Sequence, residues 1–453
     1  MSYPLSPLEA LSPSTLLLKQ KLELFVKQHC QPAEAEYEKH LASRHGKDRW
    51  TMDAIPPCLD SLKRQAQSLG LWNLFLPHAL PSQLIQQLPL DVQSQIVPSQ
   101  YLSVREYAVI CEVMGQSFLA PEACNCSAPD TGNMEVLLQH GTLEQQLQYL
   151  VPLLQGRTRS AFLMTEPKVA SSDATNIQTI LKKSVNKQGH VAYCLNGQKW
   201  WSTGAMDPRC NFALVLAKME DTIQSNSTSS TMRKPHAQHS VVIIPMSNSG
   251  VQLVRPLTVF GYDDAPHGHA EVRLNNIQLT QSSIVLGEGR GFEIAQSRLG
   301  PGRVHHCMRA VGQAQRCLDQ MIARSMERQT FGKYLYEHGM CQDMLAQSAI
   351  NVQTARLLTL QCAATIDAMG PKHARDQIAI IKIAVPRLAL SVVDCAIQIH
   401  GGAGVCQDFF LARTMAGLRT LRIADGPDEV HIQTVSKLLV RKAKSHAPIQ
   451  SRM

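Results

Sequence analysis

Two short stretches of the chain hold residues suited to gripping a flat polar ring. In Phe162-Leu163-Met164-Thr165-Glu166-Pro167-Lys168-Val169-Ala170-Ser171-Ser172-Asp173, a strand-like apolar run ends in a threonine, and a Glu-Pro turn and a small-residue loop follow. That order offers a hydroxyl and several backbone N–H groups to a heteroaromatic ring and to a phosphate. Further on, Asn196-Gly197-Gln198-Lys199-Trp200-Trp201-Ser202-Thr203-Gly204 delivers an indole pair and two hydroxyls behind an Asn-Gly turn. The bland alternative for Trp200 and Trp201 is packing in a β core, and one of the two is expected to play only that part.

The composition excludes several classes of function. With 453 residues, 44% hydrophobic and 18% charged, the chain can bury a large core, split over two or three domains. No apolar run reaches membrane-spanning length; Ile378 to Val393 comes closest and is interrupted by Lys382, Pro386 and Arg387. The formal net charge of +8 comes from scattered rather than striped basic residues. It argues for a mild preference for anionic ligands and against nucleic-acid binding. The 13 cysteines show no Cys-x-x-Cys pair, and their odd number without a secretory leader points to free thiols in a reducing compartment. Nothing near His267, His269, His305 or His306 completes a metal site, so these read as polar packing residues.

The elements that must position the two stretches follow from hydrophobic period. Residues 14 to about 160 read as helices, with Leu59, Leu62, Leu69 and Leu71 on an apolar face after Pro56-Pro57. A Pro/Gln-rich stretch, 80 to 100, reads as loop. From about 160 to 280 the period changes to short alternating runs: Val191–Leu195, Phe212–Ala217, Val241–Pro245, Val251–Leu257 and Ala270–Leu279, a small antiparallel β domain. Asp221 to Ser240 within it reads as a mobile hairpin loop. After Gly287-Glu288-Gly289-Arg290-Gly291 the helical spacing resumes, with Val304, Cys307, Met308, Val311, Ala314, Leu318, Met321 and Ile322 as a buried stripe. Long helices are expected over 341–368 and 377–400, the latter kinked at Pro386. The fold class is α+β, with domains 1–160 (N-terminal helical), 161–282 (middle β) and 283–453 (C-terminal helical).

Three further motifs stand in order behind the first two: Glu327-Arg328-Gln329-Thr330-Phe331-Gly332-Lys333, Gln398-Ile399-His400-Gly401-Gly402-Ala403-Gly404, and Ala424-Asp425-Gly426-Pro427. The five together resemble the acyl-CoA dehydrogenase family. The phrases from Arg298 to His306 and from Ala424 to His431 are most similar to the subgroup numbered 10 and 11 in vertebrates. Those vertebrate members carry a kinase-like domain upstream, for which this chain is too short. The resemblance implies an N-terminal helical domain, a middle β-barrel-like domain and a C-terminal four-helix bundle that together hold FAD. It implies α,β-dehydrogenation of an acyl-CoA thioester, in which a carboxylate takes the α-proton and FAD takes the β-hydride.

The same resemblance distributes roles. Asp425 is the expected base. Most members carry Glu there, and Asp is shorter by one methylene, roughly 1.5 Å. Some members place the base at the position of Gly302, which has no side chain to serve. Asp428 and Glu429 are fallback candidates, and a helix cap is the alternative reading of Asp425. Phe162, Leu163, Met164 and Thr165 would flank the isoalloxazine. Ser171 and Ser172 would meet the pyrophosphate and the CoA side, uncertain by one position because the loop is one residue longer than the common form. Trp201, Ser202 and Thr203 would pack on the flavin edge. Arg328, Thr330, Phe331, Gln398, Gly401, Gly402, Pro427 and Glu429 would hold the adenosine half, across a subunit interface in a homodimer or homotetramer. Arg303 and Gly426 would approach the acyl-CoA, together with Ser172.

The implied electron acceptor is an electron-transfer flavoprotein or, in an oxidase-type alternative, oxygen. A non-catalytic flavoprotein of the same fold is the third reading, supported by Asp in place of Glu. The C-terminal Ser451-Arg452-Met453 is similar to a peroxisomal tripeptide. The N-terminus lacks the early basic residues of a mitochondrial presequence, and the expectation is therefore a peroxisome ahead of the mitochondrial matrix or cytoplasm.

Overall fold

The computed structural model describes residues 11–185, 189, 191–220 and 235–446. Most of the expected loop at Asp221–Ser240, and the C-terminal tripeptide, lie outside the described residues; His239 and Ser240 open a strand instead. By packing, the described chain forms two compact units. One holds Leu102–Ala120, the residues from Gly300 on and those up to Gln31; the other holds Pro32–Tyr101 and Pro121–Leu299. This grouping differs from the linear order 1–160, 161–282, 283–453, because the helical region before residue 160 is divided between both units.

The second unit is built on an eight-stranded sheet. Its strands are β1 (Arg159–Leu163), β2 (Ile180–Val185), β3 (Val191–Thr203), β4 (Cys210–Glu220), β5 (His239–Pro245), β6 (Val251–Leu257), β7 (His269–Thr280) and β8 (Ile284–Val285), in the order β6-β7-β3-β2-β4-β5-β8 with β1 on β4. The pairings are antiparallel except β1–β4 and β2–β4, which are parallel. β4 is buried on both faces from Phe212 to Ala217, which explains its unbroken apolar run. β6 sits at the edge and is largely exposed. Ala161, Leu163, Leu181, Tyr193, Leu195, Val215, Val272 and Leu274 form one core beneath the strands.

In the first unit, the helices Gly339–Met369, Arg375–His400 and Asp428–His446 pack in series, and the first of them also packs on Val104–Gly115. A Ser103/Glu106 capping box starts Val104–Gly115, and the Asp367 carboxylate accepts its Val104 and Arg105 N–H groups. The C-terminal part of the 37-residue helix Gly291–Glu327 lies against it. A Cβ at Gly115 would stand 2.2 Å from the Arg309 carbonyl, and one at Gly312 would stand 1.9 Å from the Glu112 carbonyl. Only glycine permits that approach. Tyr107 meets His305 edge-on at 4.6 Å in the same contact. The expected buried stripe is present from Val304 to Met321, but Ile322 is 43% exposed because the helix has by then turned past the contact. The helix over Arg375–His400 runs continuously through Pro386.

Residues 80–100 are not a plain loop. They hold helices Ser82–Gln86 and Leu90–Ile96, each entered from a proline, with Leu84 and Ile96 fully buried. At a helix start the missing N–H and fixed φ of proline cost nothing, so a Pro-rich stretch can begin helices as well as prevent them.

Candidate active site

The flavin-edge residues stand where β1 and β3 approach each other. β1 ends at Leu163, and the Thr165 carbonyl accepts the Trp200 N–H at 2.9 Å. Leu163 is fully buried; Phe162 and Met164 are half-buried, and Arg298 lies over the Phe162 ring at 4.4 Å. A register break between Lys199 and Ser202 in the β3–β7 pairing turns Trp201 outward with φ 50° and 40% exposure. Its ring lies 6.4 Å from Trp200 and 5.6 Å from His269. Trp200 is the more enclosed of the two, in keeping with the expected division of labour.

This edge is pinned by a buried ion pair that sequence analysis did not single out. Lys199 Nζ, with no exposure, donates to Glu166 Oε1 at 2.9 Å, to the Met164 carbonyl at 2.9 Å and to the Leu216 carbonyl at 2.7 Å. Glu166 also accepts the Gln178 and Thr179 N–H groups. Burial pulls the Lys199 ammonium down to about 8 against the opposing pull of Glu166. For Glu166, burial acts upward, but Lys199 and the bonds from Thr179 and Gln178 win and hold the carboxyl below its usual range. A signal for this existed: Tyr193, Leu195, Gly197 and Lys199 share one face at period two, and the first two are core residues.

A second network fixes the start of β1. Glu122 accepts Arg159 at 2.7 Å, Lys63 at 2.8 Å, Arg209 at 2.9 Å and His267 at 2.6 Å. His267 bridges on to Asp207 at 2.8 Å, and Arg159 also pairs with Asp130 at 2.5 Å. Burial would raise the Glu122 carboxyl, but its four partners hold it well below the usual range. Burial would lower the His267 ring, but Glu122 and Asp207 outweigh it and raise it, and no group of three or more potential metal ligands occurs among the described residues.

The polar atoms left over fit a bound ring. The Ser202 hydroxyl and the Trp200 indole N–H are buried without a partner. Such orphans in a well-packed region point to a missing ligand or water. Thr165 makes no side-chain hydrogen bond among the described residues, while Thr203 Oγ1 lies 2.9 Å from His269 Nδ1. Ser171 turns inward, its Oγ accepting the Glu166 N–H at 3.0 Å, and Ser172 is exposed. Trp201 supplies an exposed aromatic face beside these groups.

The carboxylate candidates lie in the other unit. Asp425 sits in a turn with φ 56°, followed by Gly426 at φ 100°, where a Cβ would stand 2.9 Å from His431 Nε2. The Asp425 carbonyl accepts Arg303 Nε at 3.1 Å and Nη2 at 3.0 Å, and His431 Nε2 lies 3.3 Å from it. Lys382, almost fully buried, donates to the carbonyls of Leu421 and, at 2.7 Å, Ala424. Three nitrogen-bearing side chains therefore hold this turn by its backbone. Burial lowers all three; Arg303 adds to the lowering of Lys382, and Arg303 and Lys382 together help bring His431 to about 4. The Asp425 side chain itself lies 3.5 Å from His306 Nε2.

Asp425 is not a helix cap, because the last helix begins at Asp428. Asp428 is buried and bound to Arg387 at 3.0 Å and to Arg422 at 2.9 Å, which commits it to structure. Glu429 is exposed in the first turn of that helix, and Pro427 is half-buried beside it. Nothing lies within 4 Å of a Cβ built on Gly302, so that position leaves space without a functional group.

The residues expected at the adenosine half are gathered at one end of the same unit. Arg328, Gln398, Gly401 and Gly402 are exposed, Thr330 is half-buried, and Phe331, in a tight hairpin at φ 50°, is 96% exposed. His400 is lowered by burial and also feels Arg324 and Glu327, so the end of the long helix and the 398–402 turn are neighbours.

Comparison with known proteins shows the family. Residues 161–277 match the acyl-CoA dehydrogenase middle domain, and 289–440 match the acyl-CoA dehydrogenase C-terminal domain. The chain is 48% identical to acyl-CoA dehydrogenase family member 11 of Gallus gallus over 92% of its own length, but spans only 49% of that relative. It is 42% identical to the acyl-CoA dehydrogenase FadE2 of Mycobacterium tuberculosis, covering 96% of this chain and 98% of that one. A solved acyl-CoA dehydrogenase structure from Mycobacterium abscessus is 39% identical with a TM-score of 0.82, covering 96% and 100% of the two chains. The chain belongs to the acyl-CoA dehydrogenase family. FAD is the cofactor that membership implies, and the orphaned polar atoms beside Trp201 fit it.

Proposed function

We propose that the chain is an FAD-dependent dehydrogenase that converts a fatty acyl-CoA thioester to its trans-2-enoyl form, as in fatty acid β-oxidation. The observation that carries this reading is the Asp425 turn. Arg303, His431 and Lys382 bind its backbone carbonyls, whereas the neighbouring Asp428 is neutralised by two arginines. A proton-accepting carboxylate needs a turn fixed in place through its backbone. Asp425, carried on a left-handed turn at φ 56°, takes the α-proton. FAD supplies the acceptor for the β-hydride. Thr165, Ser202 and Thr203 orient the ring edge, Trp201 covers it, and Phe162, Leu163 and Met164 flank it through their backbone. Arg328, Thr330, Phe331, Gln398, Gly401, Gly402, Pro427 and Glu429 serve the adenosine half; Ser171 and Ser172 serve the pyrophosphate and CoA.

An aromatic ring as exposed as Phe331 supports its being covered by a second copy of the chain, hence a homodimer or homotetramer. Electrons pass to an electron-transfer flavoprotein or, in an oxidase-type variant, to oxygen; the Ser451-Arg452-Met453 ending favours a peroxisomal setting. The test is an anaerobic titration of the yellow protein with acyl-CoAs of increasing chain length, following the visible flavin absorbance. Bleaching that disappears in Asp425→Asn supports the reaction and the base. Bleaching that survives the substitution removes Asp425, and a colourless protein that takes up no FAD removes the reading altogether. Peroxide release under air, in place of dye-dependent turnover, selects the oxidase variant.

A further inference from the structure

The base turn carries one contact to the carboxylate itself that neither the motifs nor the backbone clamp require. Arg303 and His306 are three residues apart on the helix Gly291–Glu327 and so share a face. Arg303 reaches the Asp425 carbonyl, and His306 Nε2 lies 3.5 Å from Asp425 Oδ2. Arg309, one turn further on, contacts His306 Nδ1 at 3.3 Å through Nη2. A guanidinium can only donate, so Nδ1 is the acceptor and the neutral ring carries its proton on Nε2, facing the carboxylate. The Gly115 and Gly312 approach and the His305–Tyr107 contact fix the rotation of this helix, so the orientation of His306 is built into the packing.

We propose that His306 is a positioning residue for the base. Its Nε2–H holds the aspartate carboxylate in the rotamer that reaches the α-proton and keeps it ionised until it does. This rests on the reading of Asp425 as the base. A longer carboxylate side chain reaches further without help; the aspartate has one methylene fewer and less freedom to correct a misplaced turn. A separation of 3.5 Å is long for a hydrogen bond, and such contacts tighten when substrate excludes water. Charged or titratable groups near this pair include Arg303, His305, Cys307 and Arg309 on the same helix, Arg375 and Lys382 from the helix Arg375–His400, and Asp428 and His431 from the last helix. His306 Nε2 lies within ion-pair distance of Asp425 Oδ2, at 3.5 Å.

The experiment measures the rate of anaerobic flavin bleaching against pH in the FAD-loaded full chain. His306→Leu and His306→Asn, the latter polar but too short to reach Oδ2, are expected to slow bleaching about 10- to 100-fold. Loss of a donor to the ionised carboxylate raises its proton affinity, so the acidic limb of the profile moves to higher pH by about one unit. His306→Gln, whose amide N–H takes the place of Nε2–H, is expected to recover the parental rate to within about threefold and to restore the limb. If Leu and Asn leave rate and limb unchanged, or if Gln is as slow as Leu with an unmoved limb, His306 is packing and the proposal falls while Asp425 stands. If Asp425→Asn still bleaches, the base assignment falls and takes this proposal with it. FAD content and unfolding midpoint, measured on each variant, separate these outcomes from misfolding.

Discussion

The two regions that carry the proposed chemistry hold their key residues in opposite ways. At the flavin edge, Lys199 and Glu166 bury a full ion pair and spend every charge on backbone groups around Thr165. At the base turn, the cations bind carbonyls and the Asp425 carboxylate stays half-buried beside a histidine. A cradle for a cofactor needs shape, and buried pairing supplies shape at the expense of reactivity. A base needs its charge kept for substrate, so its turn must be held through the backbone instead. The difference teaches that a fully buried ion pair marks the scaffold here, and that the turn of the proposed base is held through its carbonyls.

The sharpest way to break this contrast is Asp425→Asn. It should reduce flavin bleaching by at least about a thousandfold, in the range expected for removal of a general base, while moving unfolding free energy by less than about 1 kcal/mol. Lys199→Met should do the reverse in kind: it strands a buried carboxylate and should cost about 3–5 kcal/mol in denaturant unfolding. A stable Lys199→Met protein, or an unstable Asp425→Asn one, would erase the distinction between scaffold and reactive charge.

Glu135 sharpens the contrast from within the cradle's unit. Burial pushes its carboxyl up to about 7, against an opposing pull from Arg298. In the unfolded chain it titrates near its ordinary value of 4.5. Below that value both states are protonated and nothing is lost. Between 4.5 and 7 the unfolded state ionises first, so stability falls as pH rises, to a ceiling of about 3 kcal/mol once both are ionised. Glu135→Gln should therefore raise the thermal midpoint most at pH 8 and progressively less toward pH 5; a gain independent of pH would refute the assignment. The smallest effect is expected at Ile322 on the long helix. Met321→Ala, fully buried, should cost about 2–5 kcal/mol, and its neighbour Ile322→Ala no more than about 0.5 kcal/mol. Equal losses would show that Ile322 is covered by a second copy.

Several elements were legible because their physics is local. β4 betrays its double burial by an unbroken apolar run, and the helix Gly291–Glu327 shows its stripe at helical spacing. The helices inside residues 80–100 were not legible, since proline composition speaks equally for a turn and a helix start. The Glu122 network was invisible for another reason: its members come from residues 63, 122, 130, 159, 207, 209 and 267, and no window of sequence contains them. The same holds for His306, which reads as one more polar residue until the fold sets it beside Asp425.

By itself, then, the sequence determined the α+β class, the order of the five motifs and the identity of the carboxylate at residue 425. These depend on side-chain type and on spacing along the chain. The tertiary structure alone decided which charges are neutralised. Asp425 and Asp428 are three residues apart and chemically alike, yet one is sequestered by Arg387 and Arg422 while the other faces His306. Electrostatic energy depends on distance through space and on burial, and a linear sequence states neither.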